Sequence, residues 1–201
     1  YRPVQIGRMH FNGPDQLHGF TERFVGDHSP NHLGADQVDH GALHGTAGPS
    51  RISLELSGHG LNSYQVHDEK VAASTVDFLN EYAKNNSEEP FALAIGFMLP
   101  HQPFVATKDD YAQYRGKVPP PKNPRKFEDE THPYLKWWKL HTGLQCVTPE
   151  EVERTRTAYY GLVTRLDALL GDIFNTLKRH RLIENTLIVY TADHGEQIGE
   201  K

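Results

Sequence analysis

Two short apolar runs constrain the fold of this 201-residue chain more than any other feature. Residues 91–98 (FALAIGFM) and residues 186–191 (TLIVYT) are mainly apolar, and each has the length of a strand rather than that of a helix. Strands of this kind are typical of parallel sheets, whose two faces are covered by helices. We therefore expect both runs to be buried strands of one parallel sheet.

Each apolar run follows a stretch with helical periodicity. In residues 71–83 the apolar side chains recur at helical spacing, and the pair Asn85-Asn86 marks the end of this helix. From Thr148, the sequence TPEE combines an N-cap residue with an acidic first turn, and a long apolar stripe continues to Leu177. Helix followed by strand, twice over, predicts an α/β sandwich: a mostly parallel central sheet flanked by helices, with a ligand site beyond its carboxyl edge.

The charge pattern favours a small-molecule ligand. Basic and acidic residues, 21 and 26 in number, are mixed along the chain and give a formal net charge of -5. Neither a basic stripe for nucleic acid nor a basic amphipathic helix for a membrane surface is present in the sequence. The single cysteine, Cys146, cannot form a disulfide within the chain, so the redox compartment stays open. The localisation and the oligomeric state stay open as well.

Polar residues suited to ion and oxyanion chemistry lie near strand ends. Asp193 and His194 follow the second run, and a carboxylate beside an imidazole can bind a divalent cation, although this dipeptide is also common in turns. His101 follows the first run between two prolines, and it suits either proton transfer or an ordinary loop role. Arg8 and His10 are two residues apart, so an extended backbone would direct both at one oxyanion.

Three motifs carry a family resemblance. Residues 7–24 (GRMHFNGPDQLHGFTERF), 96–104 (GFMLPHQPF) and 190–201 (YTADHGEQIGEK) resemble, in the same order, motifs of the type I, formylglycine-dependent sulfatases of the alkaline-phosphatase superfamily. The GPDQLHGF sequence is closest to choline-sulfatase-like members. Residues 159–195 are similar to the helix and strand that precede the family's metal site, whereas residues 31–64 carry the weakest resemblance. The resemblance implies an alkaline-phosphatase-like α/β fold, a calcium ion, and hydrolysis of a sulfate ester by a formylglycine nucleophile.

The resemblance also implies a role for each candidate residue. Asp193 and His194 fall on the family's second pair of calcium ligands. His101 falls on the histidine beside the ester oxygen, the general acid, and His10 falls on a histidine that contacts sulfate. Arg8 occupies a place usually held by lysine, so it keeps the positive charge but presents it as a planar fork. A cation and fixed cationic donors together stabilise the charge that spreads over a sulfuryl group during transfer.

Part of the family's site falls outside this sequence. The family's paired aspartates and its C/S-x-P-S-R nucleophile motif precede the GRMHF motif, and its catalytic lysine follows the position of Lys201. Residues 47–51 (AGPSR) spell the end of the nucleophile motif, but Ala47 cannot be oxidised to formylglycine and the segment lies downstream of GRMHF. We therefore expect residues 1–201 to be part of an N-terminal catalytic domain, without its first strand and without the C-terminal subdomain.

Two other interpretations stay open. A phosphonate or phosphodiester hydrolase of the same superfamily would share the metal edge, although GPDQLHGF favours a sulfatase. A catalytically inactive fragment is the alternative from a different class, because the chain alone holds neither the nucleophile nor the first pair of metal ligands. The substrate is expected to be a small-molecule or carbohydrate sulfate ester, and the sequence does not decide between choline-type and carbohydrate sulfates. We expect His10, His101, Asp193 and His194 to converge on one pocket.

Overall fold

The computed structural model describes residues 1–29, 38–40, 43, 48, 50–85 and 88–200. The chain divides into two compact units. The first unit comprises Tyr1–His44, Asn62–Leu99 and Leu166–Ile188, and the second comprises Gly45–Leu61, Pro100–Arg165 and Val189–Lys201. Ala47, at the nucleophile-like position of residues 47–51, lies outside the described residues.

The described residues form short strands and two helices in the first half of the chain and mainly helices in the second half. The strands are β1 (Arg2–Gly7), β2 (Glu22–Phe24), β3 (Gly58–His59), β4 (Phe91–Gly96) and β5 (Val105–Ala106). The helices are α1 (Arg51–Leu56), α2 (Ser63–Lys84), α3 (Lys108–Tyr114), α4 (Pro133–His141) and α5 (Pro149–Arg179), with short 3-10 helices at Phe127–Asp129 and Leu182–Asn185. Among the described residues, no helix combines the length and the apolar character needed to cross a bilayer.

A parallel sheet with the order β2-β1-β4 forms the centre of the first unit. Val4 and Ile6 of β1 are fully buried against Val71 of α2 and Ile173 of α5, in a cluster that also contains Phe78, Leu79 and Leu177. Each side chain of this size contributes about 1.5–3 kcal/mol when it is fully buried. All described strand pairs, including β3 with β5 in the second unit, are parallel. The predicted α/β class, a parallel sheet flanked by helices, is confirmed.

Both predicted helices are present. Helix α2 contains the predicted residues 71–83 and begins earlier, because Asn62 and Gln65 form a capping box in which each side chain accepts from the other residue's backbone N–H. Helix α5 begins as predicted: the N–H of Glu151 donates to Thr148 Oγ1 at 3.2 Å, and the N–H of Thr148 donates to Glu151 Oε2 at 2.9 Å.

The two apolar runs have different outcomes. Residues 91–98 contain β4, a parallel strand as predicted, but it is half-buried because β1 is its only described neighbour in the sheet. The prediction of a buried strand at residues 186–191 is wrong for this structure: Leu187 is 90% exposed, Val189 is 76% exposed, and no strand is formed there. A strand requires a neighbour to satisfy its backbone N–H and C=O groups, and no described strand pairs with this segment.

The second unit is held together by the first half of α5. Ala158 and Leu162 are fully buried, and the ring of Tyr159 packs edge-to-face on Phe104 with the centroids 5.6 Å apart. Arg154 ties this helix to the end of α1, because its guanidinium donates to the carbonyl oxygens of Ser57 and Leu54 at 2.9 and 3.1 Å. These contacts satisfy carbonyl groups that the end of a helix leaves without intrahelical partners.

Candidate functional site

Arg8 and His10 lie in the loop that follows β1. Gly7, the last residue of β1, has a φ of 89°, and a Cβ atom there would lie 2.2 Å from the carbonyl oxygen of Gly96. A Cβ on Gly96 would lie 1.7 Å from the carbonyl oxygen of Arg8. Only glycine at these positions lets the ends of β1 and β4 approach so closely. The loops that follow the two strands therefore begin side by side.

The side chains of Arg8 and His10 contact each other, but not through an extended backbone. His10 has a φ of 59°, in the left-handed region. Arg8 Nη2 lies 3.3 Å from His10 Nδ1, and Arg8 Nη1 lies 3.2 Å from Met98 Sδ. Because a guanidinium only donates, His10 Nδ1 accepts in this contact, so the ring hydrogen of a neutral His10 is on Nε2. The pair can therefore offer N–H groups of both side chains to one oxyanion.

Asp27 holds the backbone of this loop. Its Oδ1 accepts from the N–H groups of Met9 at 2.8 Å and His10 at 3.0 Å, and its Oδ2 lies 3.0 Å from Arg23 Nη2. Burial acts to raise the pKa of the Asp27 carboxyl, but the backbone hydrogen bonds from His10 and Met9 and the guanidinium of Arg23 outweigh it and lower the pKa below its ordinary value. Asp27 is therefore ionised at neutral pH.

A buried histidine lies near Arg8 in the same unit. His28 Nε2 is 2.7 Å from Ser63 Oγ, and its ring stacks on that of His40 with the centroids 3.8 Å apart. Burial, followed by the positive charges of His40, His67 and Arg8, lowers the pKa of His28 to about 4. His28 is therefore neutral at neutral pH and adds no positive charge beside Arg8.

His101 lies in the loop that follows β4. The N–H of Met98 is 2.9 Å from both carboxylate oxygens of Asp68, and the N–H of Leu99 donates to Asp68 Oδ2 at 2.8 Å. His101 is half-buried, and its Nδ1 lies 2.7 Å from the carbonyl oxygen of Gln102. Because a carbonyl oxygen only accepts, Nδ1 carries a hydrogen in this contact. Proton transfer by His101 would therefore use Nε2.

Asp193 and His194 lie in an exposed segment of the second unit. Their side chains are 90% and 68% exposed, and Asp193 Oδ2 lies 3.7 Å from His194 Nε2. The hydrogen bond from His194 to the Gly195 carbonyl, followed by the charge of Asp193, raises the pKa of His194. In the part of the chain that the structure describes, no three His, Cys, Asp or Glu side chains are grouped as a metal site. The two residues supply one carboxylate and one imidazole, a small part of the roughly six to eight ligands that calcium takes.

The carboxyl of Glu196 is influenced by the charges of His101, Asp193 and His194. Burial raises the pKa of the Glu196 carboxyl, whereas the imidazoles of His194 and His101 act to lower it and the charge of Asp193 acts to raise it. Charges influence one another in this way only across short distances. His101, Asp193 and His194 therefore lie near enough to Glu196 to act on its charge, and a pocket shared with Arg8 and His10 stays a prediction.

Sequence reasoning did not single out the residues that hold these loops. Asp27 and Asp68 lie about 18 and 30 positions away from the backbone groups that they bind, and no local pattern signals such a pairing. His67, which contacts Asp68, reads in the sequence as an ordinary helix residue. Glu196 follows Asp193 and His194 in the DHGE sequence, so its position beside the predicted ligands was the available signal.

Comparison with known proteins gives a family match and several relatives. The family model named Sulfatase matches residues 7–201. A choline-sulfatase from Rhizobium meliloti (strain 1021) is 31% identical over the whole of this chain and 41% of its own length. The multifunctional alkaline phosphatase superfamily protein PehA from Trinickia caryophylli is 34% identical over 59% of this chain and 26% of its own length. Arylsulfatase K from Canis lupus familiaris is 31% identical over 64% of this chain and 26% of its own length. The chain thus spans less than half the length of these relatives.

Proposed function

We propose, from the premise that this chain belongs to the sulfatase family and has its alkaline-phosphatase-like α/β fold, that the intact protein hydrolyses a sulfate ester. The observation that carries this proposal is the similarity to a choline-sulfatase along the whole chain. The three motifs occur along the chain in the family's order. The first carries Arg8 and His10, the second His101, and the third Asp193 and His194. The substrate class that follows is a small-molecule or carbohydrate sulfate ester.

Arg8 and His10 are the residues that bind the sulfuryl oxygens. Their side chains lie in contact at the end of β1, and Asp27 fixes the backbone of the loop that carries them. During transfer the negative charge on the non-bridging oxygens is stabilised best by donors that need not move. A guanidinium held beside an imidazole meets this requirement.

His101 is the general acid that protonates the leaving alcohol. Its Nδ1 donates to the Gln102 carbonyl at 2.7 Å, which orients the ring, and Nε2 is the nitrogen proposed to transfer the proton. A general acid held in this way contributes about 10²–10⁴-fold to a reaction whose leaving group is strongly basic.

Asp193 and His194 are proposed ligands of a calcium ion, and the nucleophile is proposed to be a formylglycine that the rest of the protein supplies. A divalent cation contributes electrostatic stabilisation to a transferring sulfuryl group. Within this chain, Asp193 offers the hard oxygen ligand and His194 the softer nitrogen. Their exposure in the structure is compatible with further ligands from outside the described residues.

The decisive experiment compares substrates for the intact protein. It measures kcat/KM for choline sulfate, nitrophenyl sulfate and a nitrophenyl phosphodiester under the same conditions. We expect the two sulfate esters to be hydrolysed faster than the phosphodiester. Faster hydrolysis of the phosphodiester would favour the alternative, a phosphonate or phosphodiester hydrolase of the same superfamily. Hydrolysis of none of the three would contradict the proposal.

A further inference from the structure

Two buried aspartates make the same kind of contact at the ends of two neighbouring parallel strands. Asp27, which is 7% exposed, accepts from the consecutive N–H groups of Met9 and His10 after β1. Asp68, which is fully buried, accepts from the consecutive N–H groups of Met98 and Leu99 after β4. Hydrogen bonds from N–H groups to a charged, buried carboxylate are among the strongest that a protein makes.

His67 links Asp68 to the residue that precedes Asp27. Its Nδ1 lies 3.0 Å from Asp68 Oδ1, and its Nε2 lies 3.0 Å from the carbonyl oxygen of Gly26, the residue before Asp27. The ring is 8% exposed, so water competes little for either contact. A continuous set of hydrogen bonds therefore runs from the loop after β4, through Asp68 and His67, to the segment that holds the loop after β1.

Each of the two loops carries a residue of the proposed chemistry. The backbone held by Asp27 includes His10 and adjoins Arg8, which are the proposed sulfate-binding residues. The backbone held by Asp68 ends two residues before His101, the proposed general acid. Because a displacement of about 1 Å can cost on the order of 10²-fold in rate, the groups that fix these backbones affect catalysis without contacting the substrate.

We propose that Asp27, His67 and Asp68 are positioning residues of the active site. The two aspartates act as hydrogen-bond acceptors: Asp27 fixes the sulfate-binding loop and Asp68 fixes the loop that leads to the general acid. His67 fixes Asp68 relative to the backbone at Gly26, which precedes Asp27. This inference rests on the proposed sulfate-ester hydrolysis and adds the residues that orient its catalytic groups.

The geometry predicts which substitutions preserve this support. Asp27 receives both N–H groups on Oδ1, so the amide oxygen of Asp27→Asn can accept both, but its NH₂ group then faces Arg23 Nη2, which the carboxylate contacts through Oδ2. Asp68 receives the N–H of Leu99 on Oδ2 and the N–H of Met98 on both oxygens, so Asp68→Asn keeps the acceptor at Oδ2 but places an NH₂ group where Oδ1 contacts Met98 and His67. The alanine variants remove the carboxylate that accepts from these N–H groups.

The test compares the two alanine variants in the intact protein on an alkyl sulfate and on nitrophenyl sulfate. Asp68→Ala should show the same pattern as His101→Ala but a smaller effect: a loss of about 10–100-fold in kcat/KM on the alkyl ester and a much smaller loss on the activated ester. Asp27→Ala should lower kcat/KM by about 10–100-fold on both esters, because sulfate binding does not depend on the leaving group. Each asparagine variant keeps one acceptor oxygen and should therefore lose less kcat/KM than the corresponding alanine variant.

The matched control is Glu130 in the second unit. It is also a buried carboxylate, 6% exposed, that accepts from a backbone N–H, that of His132, and contacts a cation, Lys139. Glu130→Ala should change kcat/KM by the same factor on the alkyl sulfate and on nitrophenyl sulfate. The proposal is overturned if Asp68→Ala lowers kcat/KM equally on both esters. It is also overturned if Asp68→Asn, with the fold intact, loses as much kcat/KM on the alkyl ester as Asp68→Ala.

Amide hydrogen exchange separates this inference from the proposed function. If the unsubstituted protein hydrolyses no sulfate ester, the proposed function fails, but the supports can still be measured. Asp27→Ala should accelerate exchange at Met9 and His10, and Asp68→Ala should accelerate it at Met98 and Leu99, by about tenfold or more and locally. Uniform acceleration over the whole fold, or none at these amides, would contradict the positioning role.

Discussion

The two regions that carry the proposed chemistry differ in how firmly the fold holds them. In the loop after β1, Asp27 accepts hydrogen bonds from the N–H groups of Met9 and His10, and the side chains of Arg8 and His10 contact each other. The segment of Asp193 and His194 follows residues 186–191, which form no strand and are largely exposed. The comparison teaches that a site residue at a strand end is oriented only if the strand itself has neighbours.

The largest expected effect concerns His101. In the intact protein His101→Ala should lower kcat/KM on an alkyl sulfate by about 10²–10⁴-fold, because an alkoxide leaves only with a proton, and should have little effect on nitrophenyl sulfate. Replacement of the exposed His132 by alanine is the control and should leave both rates unchanged. Equal losses on the two esters in His101→Ala would make His101 a sulfate-binding or structural residue.

The next effect is a pH dependence of stability that arises from His28. Its pKa is lowered from 6.5 to about 4 by burial, so the unfolded state binds more protons than the folded state between these values. The stabilisation is fully present above pH 6.5 and is lost as the pH falls towards 4, by up to about 3 kcal/mol. Urea unfolding of the protein and of His28→Gln at several pH values measures this loss.

The His28→Gln variant should lose less stability than the unsubstituted protein between pH 6.5 and pH 4. Replacing the exposed His132 by glutamine should leave the pH profile as it is. The same pH dependence in His28→Gln and in the unsubstituted protein would show that His28 is not the group responsible.

A comparable effect is expected at Arg8. Arg8→Ala should lower kcat/KM by about 10²-fold on both sulfate esters, and Arg8→Lys should retain more activity because it keeps the charge while losing the planar fork. Arg2 provides the control: it begins the same strand at the opposite end and pairs with Glu22 through its guanidinium. A loss in Arg2→Ala as large as that in Arg8→Ala would indicate an effect on the strand rather than on sulfate.

The smallest effect is expected for calcium binding to the 201-residue chain by itself. Asp193 and His194 supply two ligands, whereas a protein calcium site takes about six to eight. Calorimetric titration should therefore show no tight, stoichiometric binding. Stoichiometric binding that is lost in Asp193→Asn would mean that the chain completes the site without the remainder of the protein.

Much of the fold followed from local patterns in the sequence. The helical stripe of α5 and its cap at Thr148 predicted a long helix, and the apolar run at residues 91–98 predicted β4. The family resemblance carried by three motifs is confirmed by the family match over residues 7–201. The run at residues 186–191 was predicted wrongly, because apolar composition indicates the capacity to form a strand but does not supply the neighbour that a strand needs.

The two aspartates that bind the loops of the site, Asp27 and Asp68, could not be predicted from local sequence patterns. Asp27 and Asp68 bind backbone N–H groups far away in the sequence, and such pairings arise from the close parallel approach of β1 and β4. An extended backbone was expected to direct Arg8 and His10 at one oxyanion, whereas in the structure the two side chains contact each other and His10 has a left-handed φ. Residue types and spacing thus indicated the chemistry, and the tertiary fold determined the orientation.

Amide hydrogen exchange of the 201-residue chain tests the central comparison most directly. The N–H groups of Met9, His10, Met98 and Leu99 are bound to buried carboxylates, so we predict slow exchange there, close to that of the β1 core. The amides of residues 187–194 should exchange far faster, because no described strand covers them. Strong protection across residues 187–190, or rapid exchange at Met98 and Leu99, would contradict the account.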